Sequence, residues 1–151
     1  KKETSMVRKM KGYSFKISLV LGVAAGSILL PIFRMFSMPI TGLILAFTVA
    51  GFVTSFLFLP ENNDKTFKRK ASAGAAAAVI IGLMISFVFY LYYIFYLRVS
   101  IIPSASSDLN MAVYVSVMLI ITVFGGFVLG NLGGAIGAIL GDTVDAISKK
   151  R

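Results

Sequence analysis

The chain has 151 residues, enough for one domain, and 58% of them are hydrophobic, with a mean hydropathy of +0.90. That is too apolar for a soluble fold, in which polar residues must cover the core. The sequence has no Cys and no His, which excludes disulfides, thiolate ligands and imidazole ligands. Its net charge of +9 lies in the connections between apolar stretches, so we expect contacts with anionic lipid headgroups and not with nucleic acid.

Four long apolar stretches predict four transmembrane helices, at about residues 17–35, 39–59, 71–97 and 111–141. A hydrocarbon core about 30 Å thick needs about 20 helical residues. A tight turn at Phe33–Met38 follows the first stretch, and the polar turn segment Pro60-Glu-Asn-Asn-Asp64 follows the second. We therefore predict an all-α membrane protein, a single domain over residues 1–151, with four transmembrane helices as two antiparallel hairpins. The fourth stretch is longer than one untilted span, so its helix either tilts, extends into the cytoplasm or breaks near its glycines.

All Lys and Arg residues except Arg34 and Arg98 lie before the first stretch, between the second and third, or after the fourth. The positive-inside rule then places both termini in the cytoplasm. Residues 1–16 form a basic tail or a helix on the membrane surface, and residues 142–151 form a basic C-terminal tail. The residues that we expect at lipid headgroups are Lys9, Lys11, Lys16, Lys68, Arg69, Lys70, Lys149 and Lys150.

Small residues recur every four positions in each predicted helix. Lipid is as apolar as Leu, so membrane helices associate through close backbone approach, which small residues permit. The rows are Ser18, Gly22 and Gly26 in the first helix; Gly42, Ala46, Ala50 and Thr54 in the second; Gly74, Ala78, Gly82 and Ser86 in the third; and Gly126, Gly130, Gly134 and Ala138, with a second row of Gly133, Gly137 and Gly141, in the fourth.

The fourth helix thus carries two small-residue rows on neighbouring faces. One row can meet the bundle while the other meets a second copy or a different subunit, which predicts a homo-oligomer or a complex subunit. The alternative is that both rows pack within one chain. Asn131 is the only amide well inside a predicted span, and in lipid it needs a partner. It either joins two helices by a hydrogen bond or lines a pore.

The third helix ends in a cluster of aromatic residues. Tyrosines near one end of a span are typical of an interfacial belt, and a cage for a lipid or another hydrophobic ligand is the alternative. The cluster comprises Phe87, Phe89, Tyr90, Tyr92, Tyr93, Phe95 and Tyr96.

Ionisable groups are missing from the depth of the predicted spans. Proton-coupled carriers place such groups inside the membrane, and hydrolysis needs a base or a metal ion to activate its nucleophile. No His or buried Lys is expected beside the serines. We therefore predict no enzyme, no catalytic residue, no metal site and no cofactor. The acidic residues are Glu3, Glu61, Asp64, Asp108, Asp142 and Asp145.

Two segments are relevant to a family resemblance: Lys70-Ala-Ser-Ala-Gly74 at the start of the third helix and Gly125–Gly141 in the fourth. Through these segments and its four spans, the chain resembles uncharacterised small archaeal membrane proteins with four spans and a glycine-zipper last helix. The resemblance implies a fold and no activity. The function expected from the sequence is that of a structural or accessory membrane protein: part of a membrane array, a complex subunit or a lipid-embedded viral coat. The alternatives are an oligomeric pore, including a holin-like protein, and a lipid or hydrophobic-ligand binder.

Overall fold

The computed structural model describes residues 14–58, 66–92, 95 and 105–150. They form four helices: α1 (Phe15–Met35), α2 (Pro39–Leu57), α3 (Thr66–Tyr92) and α4 (Ala105–Lys150). Each contains a stretch long and apolar enough to cross a membrane. The prediction of an all-α chain with four candidate spans, as in a multi-pass integral membrane protein, is thereby confirmed. Residues 1–13 of the tail predicted at residues 1–16, with Lys9 and Lys11, lie outside the described residues.

A tight turn joins α1 to α2. The backbone N–H of Ser37 donates to the carbonyl of Arg34 and that of Met38 donates to the carbonyl of Phe33, both at 3.1 Å. Ser37 has a left-handed φ of 58°. These features form a Schellman motif, in which glycine is the usual residue at the left-handed position. Pro39 then occupies the first turn of α2, where its missing N–H costs nothing.

Helices α2 and α3 form the centre of the bundle. They contact each other, and each also contacts both α1 and α4, whereas α1 and α4 make no contact in the described part of the chain. The buried core between them consists of small residues and two large ones: Phe47, Ala50, Ala77, Ala78 and Ile81. The two outer helices therefore lie on opposite sides of the α2–α3 pair.

The residue contacts give the helix directions. Gly26 of α1 lies beside Ala46 of α2, and Gly22 lies beside Thr54, so α1 and α2 run in opposite directions. The pairs Thr48–Gly133 and Phe56–Gly141 show that α2 and α4 run in the same direction. Contacts between α3 and α4 follow the opposite order, from Ala71–Gly134 to Gly82–Thr122.

Helix α4 is continuous over 46 residues, which corresponds to about 69 Å. The alternative of a helix broken near its glycines is therefore wrong: a glycine costs only about 1 kcal/mol of helix propensity, and close packing on two neighbours offsets that cost. Helix α2 has 19 residues, about 28 Å. Measured from the contact between Gly51 and Gly130, α4 extends about 20 Å beyond the α1–α2 turn.

The described cations concentrate at one end of the bundle, which we call the basic end. Phe15 packs edge-to-face on Phe58 there, so the start of α1 adjoins the end of α2. Lys70 near the start of α3 pairs with Asp142 of α4. The exposed cations Lys16, Lys68 and Arg69 lie at this end, and Arg34 lies at the other, beside the α1–α2 turn.

Candidate functional site

The first row of small residues on α4, formed by Gly126, Gly130, Gly134 and Ala138, packs on α3. A Cβ atom built on Gly126 would lie 2.8 Å from the carbonyl oxygen of Ala78, and one on Gly134 would lie 2.8 Å from that of Ala71. These neighbours are backbone atoms, which cannot rotate away as a side chain can. Any larger residue in this row would therefore push α3 and α4 apart.

The second row on α4, formed by Gly133, Gly137 and Gly141, packs on α2. The carbonyl oxygen of Thr48 fills the position that a Gly133 Cβ would take, and a Gly137 Cβ would lie 2.5 Å from the carbonyl oxygen of Phe52. All the glycines of both rows are buried. Of the two arrangements open from the sequence, the structure has the one in which both rows pack within a single chain.

Three helices meet where Gly51, Gly74 and Gly130 converge. The backbone of Gly130 fills the Cβ position of Gly51, and a Cβ on Gly74 would lie 2.7 Å from the carbonyl oxygen of Gly51 and 2.8 Å from the Cα of Gly134. The row predicted for α2 from the sequence did not include Gly51. Ser55 lies four residues after Gly51, and its hydroxyl donates to the carbonyl of Gly134 at 2.6 Å. This four-residue spacing is the sequence signal that could have identified a second row on α2.

The row on α1 packs mainly on α2. Thr54 Oγ1 fills the Cβ position of Gly22, and a Gly26 Cβ would lie 2.7 Å from the carbonyl oxygen of Ala46. The Thr54 hydroxyl is buried and makes no conventional hydrogen bond in the described structure, so its oxygen is placed to accept a weak Cα–H contact from Gly22. Gly42 and Gly82 are the remaining predicted packing glycines. A Cβ on Gly42 would lie 2.5 Å from the Cβ of Phe33, and one on Gly82 would lie 2.7 Å from the carbonyl oxygen of Thr122.

An ion pair between a buried Lys and a half-exposed Asp joins α3 to α4 at the basic end. The Nζ of Lys70 lies 2.6 Å from Oδ1 of Asp142, with 3% of the Lys70 side chain and 51% of the Asp142 side chain exposed. Gly141 lies beside this ammonium group: a Cβ there would be 3.6 Å from Nζ, an ordinary van der Waals contact. The prediction that Lys70 contacts lipid headgroups is therefore wrong.

The sequence did hold a signal for this burial. Lys70 lies four residues before Gly74, so it continues the row of α3 that faces α4, whereas Lys68 and Arg69 lie off that row and are exposed. At the far end of the same row, the hydroxyls of Ser86 and Thr122 are 2.7 Å apart. The glycine contact between α3 and α4 is thus bounded by a polar interaction at each end.

Asn131 is partly exposed on the surface of α4. Its amide nitrogen donates to the carbonyl of Phe127 at 2.9 Å, so the hydrogen bond that it makes in the described part of the chain stays within its own helix. Among the described residues Asn131 makes no hydrogen bond to another helix of the bundle, as a residue joining two helices within one chain would require.

The described aromatic residues at the end of α3 and just beyond it are exposed. Phe87, Phe89, Tyr90, Tyr92 and Phe95 are all exposed, while Tyr93 and Tyr96 lie outside the described residues. Exposed rings on one helix end make a surface and not an enclosed cavity.

Lys149 and Lys150 belong to the last turn of α4, and their side chains are not described.

The described residues offer no group of three His, Cys, Asp or Glu side chains that could hold a metal ion. The chemistry available in the described interior is that of hydroxyl groups, backbone carbonyls and one ion pair. No family model, no curated protein and no solved structure matches this chain.

Proposed function

We propose that this protein is a structural or accessory integral membrane protein, which acts by packing against lipid and other membrane proteins. One observation carries the proposal: the glycines predicted to mediate packing meet atoms of neighbouring helices within the same chain. Such backbone contacts make a rigid scaffold that needs no partner to close its core. Its outer surface is left for lipid and for protein partners in a membrane array, a complex or a lipid-embedded coat.

The packing of the core argues against transport through a single copy. Ala46, Phe47, Ala50, Ala77 and Ala78 at the centre of the described bundle are 0% to 1% exposed. A conducting path needs polar groups along it or a space that water can enter, and these residues supply neither. An oligomeric pore would have to be lined by outer helix faces, and Asn131 is the observation that favours this second candidate.

Lipid or hydrophobic-ligand binding is the third candidate, at the aromatic end of α3. The exposure of Phe87, Phe89 and Tyr90 suits an interfacial belt, in which the rings meet many headgroups without specificity. A binder of one defined ligand would need rings that converge. We therefore rank this candidate below the structural role.

The proposed topology is two antiparallel hairpins with the basic end, and hence both termini, in the cytoplasm. The cluster of Lys16, Lys68 and Arg69 at one end supports it through the positive-inside rule, and these exposed cations are the proposed contacts for anionic headgroups. The chain has no Cys, so single cysteines report topology directly. A membrane-impermeant maleimide should label Lys68→Cys only in inside-out vesicles and Phe36→Cys only in right-side-out vesicles. The reverse pattern would contradict the topology.

The structural role is tested by tagging the full chain in its native membrane, extracting it gently and weighing the complex by native mass spectrometry. We expect a defined assembly with other copies or other membrane proteins, and no ion flux when the purified protein is placed in liposomes. A flux that is lost on Asn131→Leu would favour the pore. A strict monomer that copurifies with one stoichiometric lipid would favour the binder.

A further inference from the structure

The amide of Asn131 has more hydrogen-bonding groups than its own helix can satisfy. A carboxamide carries two N–H donors and an oxygen acceptor, and the bond to the carbonyl of Phe127 uses one donor. Exposed hydroxyls differ in this respect: Thr48 has one O–H donor, which it places on the carbonyl of Ile44 at 2.8 Å. Asn131 therefore leaves one N–H donor and its oxygen acceptor without a partner among the described residues.

The position of Asn131 along α4 makes these unsatisfied hydrogen-bonding groups energetically costly. Asp142, at the ion pair of the basic end, lies about 16 Å further along the helix, and Val115 lies about 24 Å away in the other direction. Asn131 is thus well inside the apolar part of α4. Hydrocarbon supplies no hydrogen-bond partner there, and water reaches it poorly.

We propose that the outer face of α4 around Asn131 pairs with the same face of a second copy, so that the two Asn131 amides hydrogen-bond to each other. This rests on the proposed structural role and names its partner. The amide is self-complementary, because each copy offers the donor and the acceptor that the other needs. A two-fold axis through such a point brings identical residues together, and neither lipid tails nor a purely apolar helix could satisfy both groups.

The surface next to Asn131 admits a close approach. Ala135 lies one turn further along the same face and is small and partly exposed, and Val128 and Phe124 continue the face towards the middle of the helix. Asn131 lies about 60° around α4 from Gly134, and the glycine rows are buried on their own side of the helix against α2 and α3. The second copy can therefore bind without disturbing the bundle.

The test uses the full chain labelled at Ile147→Cys, an exposed position near the end of α4, with donor or acceptor dye. Energy transfer in liposomes is followed as the protein-to-lipid ratio is varied. Asn131→Leu should weaken association about 3- to 30-fold, which is the range expected for one interhelical polar contact in a membrane. Thr48→Val is the matched control, because its hydroxyl bonds its own helix, and it should leave association unchanged.

A second measurement maps the face. With copper phenanthroline as oxidant in liposomes, Ala135→Cys should form a disulfide-linked dimer, and Ala24→Cys, exposed on α1, should not. Equal cross-linking at both positions, or association unaffected by Asn131→Leu, would overturn the proposal. If the wild-type chain is monomeric in liposomes yet is extracted from its native membrane in a complex with other proteins, the pairing of copies fails and the accessory role survives.

Discussion

The two outer helices, α1 and α4, are held differently, and more residues of α4 than of α1 are buried. Helix α1 has one row of small residues, which packs mainly on α2. Helix α4 has two rows, each pressed on the backbone of a different neighbour. Helix α1 is therefore attached mainly along one face, and α4 is attached along two.

The largest effect is expected at the point where α2, α3 and α4 meet. Gly130→Leu places a side chain against Gly74 and Ala78 and should lower the free energy of unfolding by about 3 kcal/mol or more, because overpacking against backbone cannot relax. Unfolding by SDS in mixed micelles, followed by far-UV circular dichroism, measures it. Gly125→Leu is the matched control on the same helix, since a Cβ at Gly125 meets nothing within 4 Å.

The second largest effect on stability is expected at the ion pair between Lys70 and Asp142. Asp142→Asn leaves the ammonium of Lys70 buried without its counter-charge, and we expect a loss of about 2 to 3 kcal/mol. This is less than for a fully buried pair, because half of Asp142 is exposed to solvent. The double variant Lys70→Met with Asp142→Asn should regain most of the loss in the same SDS titration. A double variant no more stable than Asp142→Asn alone would show that the pair is not what holds this end together.

A substitution in α1 should weaken its contact with α2 without affecting the contact between α3 and α4. Gly22→Ala brings a methyl group onto Thr54 and the carbonyl of Ala50, at a cost of about 1 to 2 kcal/mol, and Thr54→Ala should recover part of it by removing the hydroxyl. The contact between α3 and α4 should persist: a disulfide between Ser86→Cys and Thr122→Cys should form as readily with Gly22→Ala as without it. Loss of that disulfide would mean that the two outer helices are coupled, contrary to the comparison.

The smallest expected effect is an increase in the free energy of unfolding. Gly125 is the glycine of α4 that has open space around its Cβ position, so Gly125→Ala should raise the stability by about 0.5 to 1 kcal/mol through backbone entropy alone. Gly126→Ala, one residue away, should instead be destabilising, because its methyl group meets the carbonyl of Ala78. Equal effects of the two substitutions in the SDS titration would show that helix propensity and not packing governs this helix.

The sequence by itself determined the four spans, the rows of small residues and the concentration of cations in alternate connections. Hydropathy and four-residue spacing are local properties, so they can be read without knowing any contact. That is why Gly22, Gly74 and Gly134 could be identified as packing residues before their neighbours were known.

The tertiary structure decided which neighbour each row meets. A glycine row fits the backbone of any helix, so spacing alone could not show that both rows of α4 are used within the chain. A Lys at the end of a span can reach the headgroups or pair with a carboxylate, and only the position of Asp142 beside Lys70 selected between them. The partial exposure of Asn131 likewise depended on where α2 and α3 pack against α4, which is set by contacts between residues far apart in the chain.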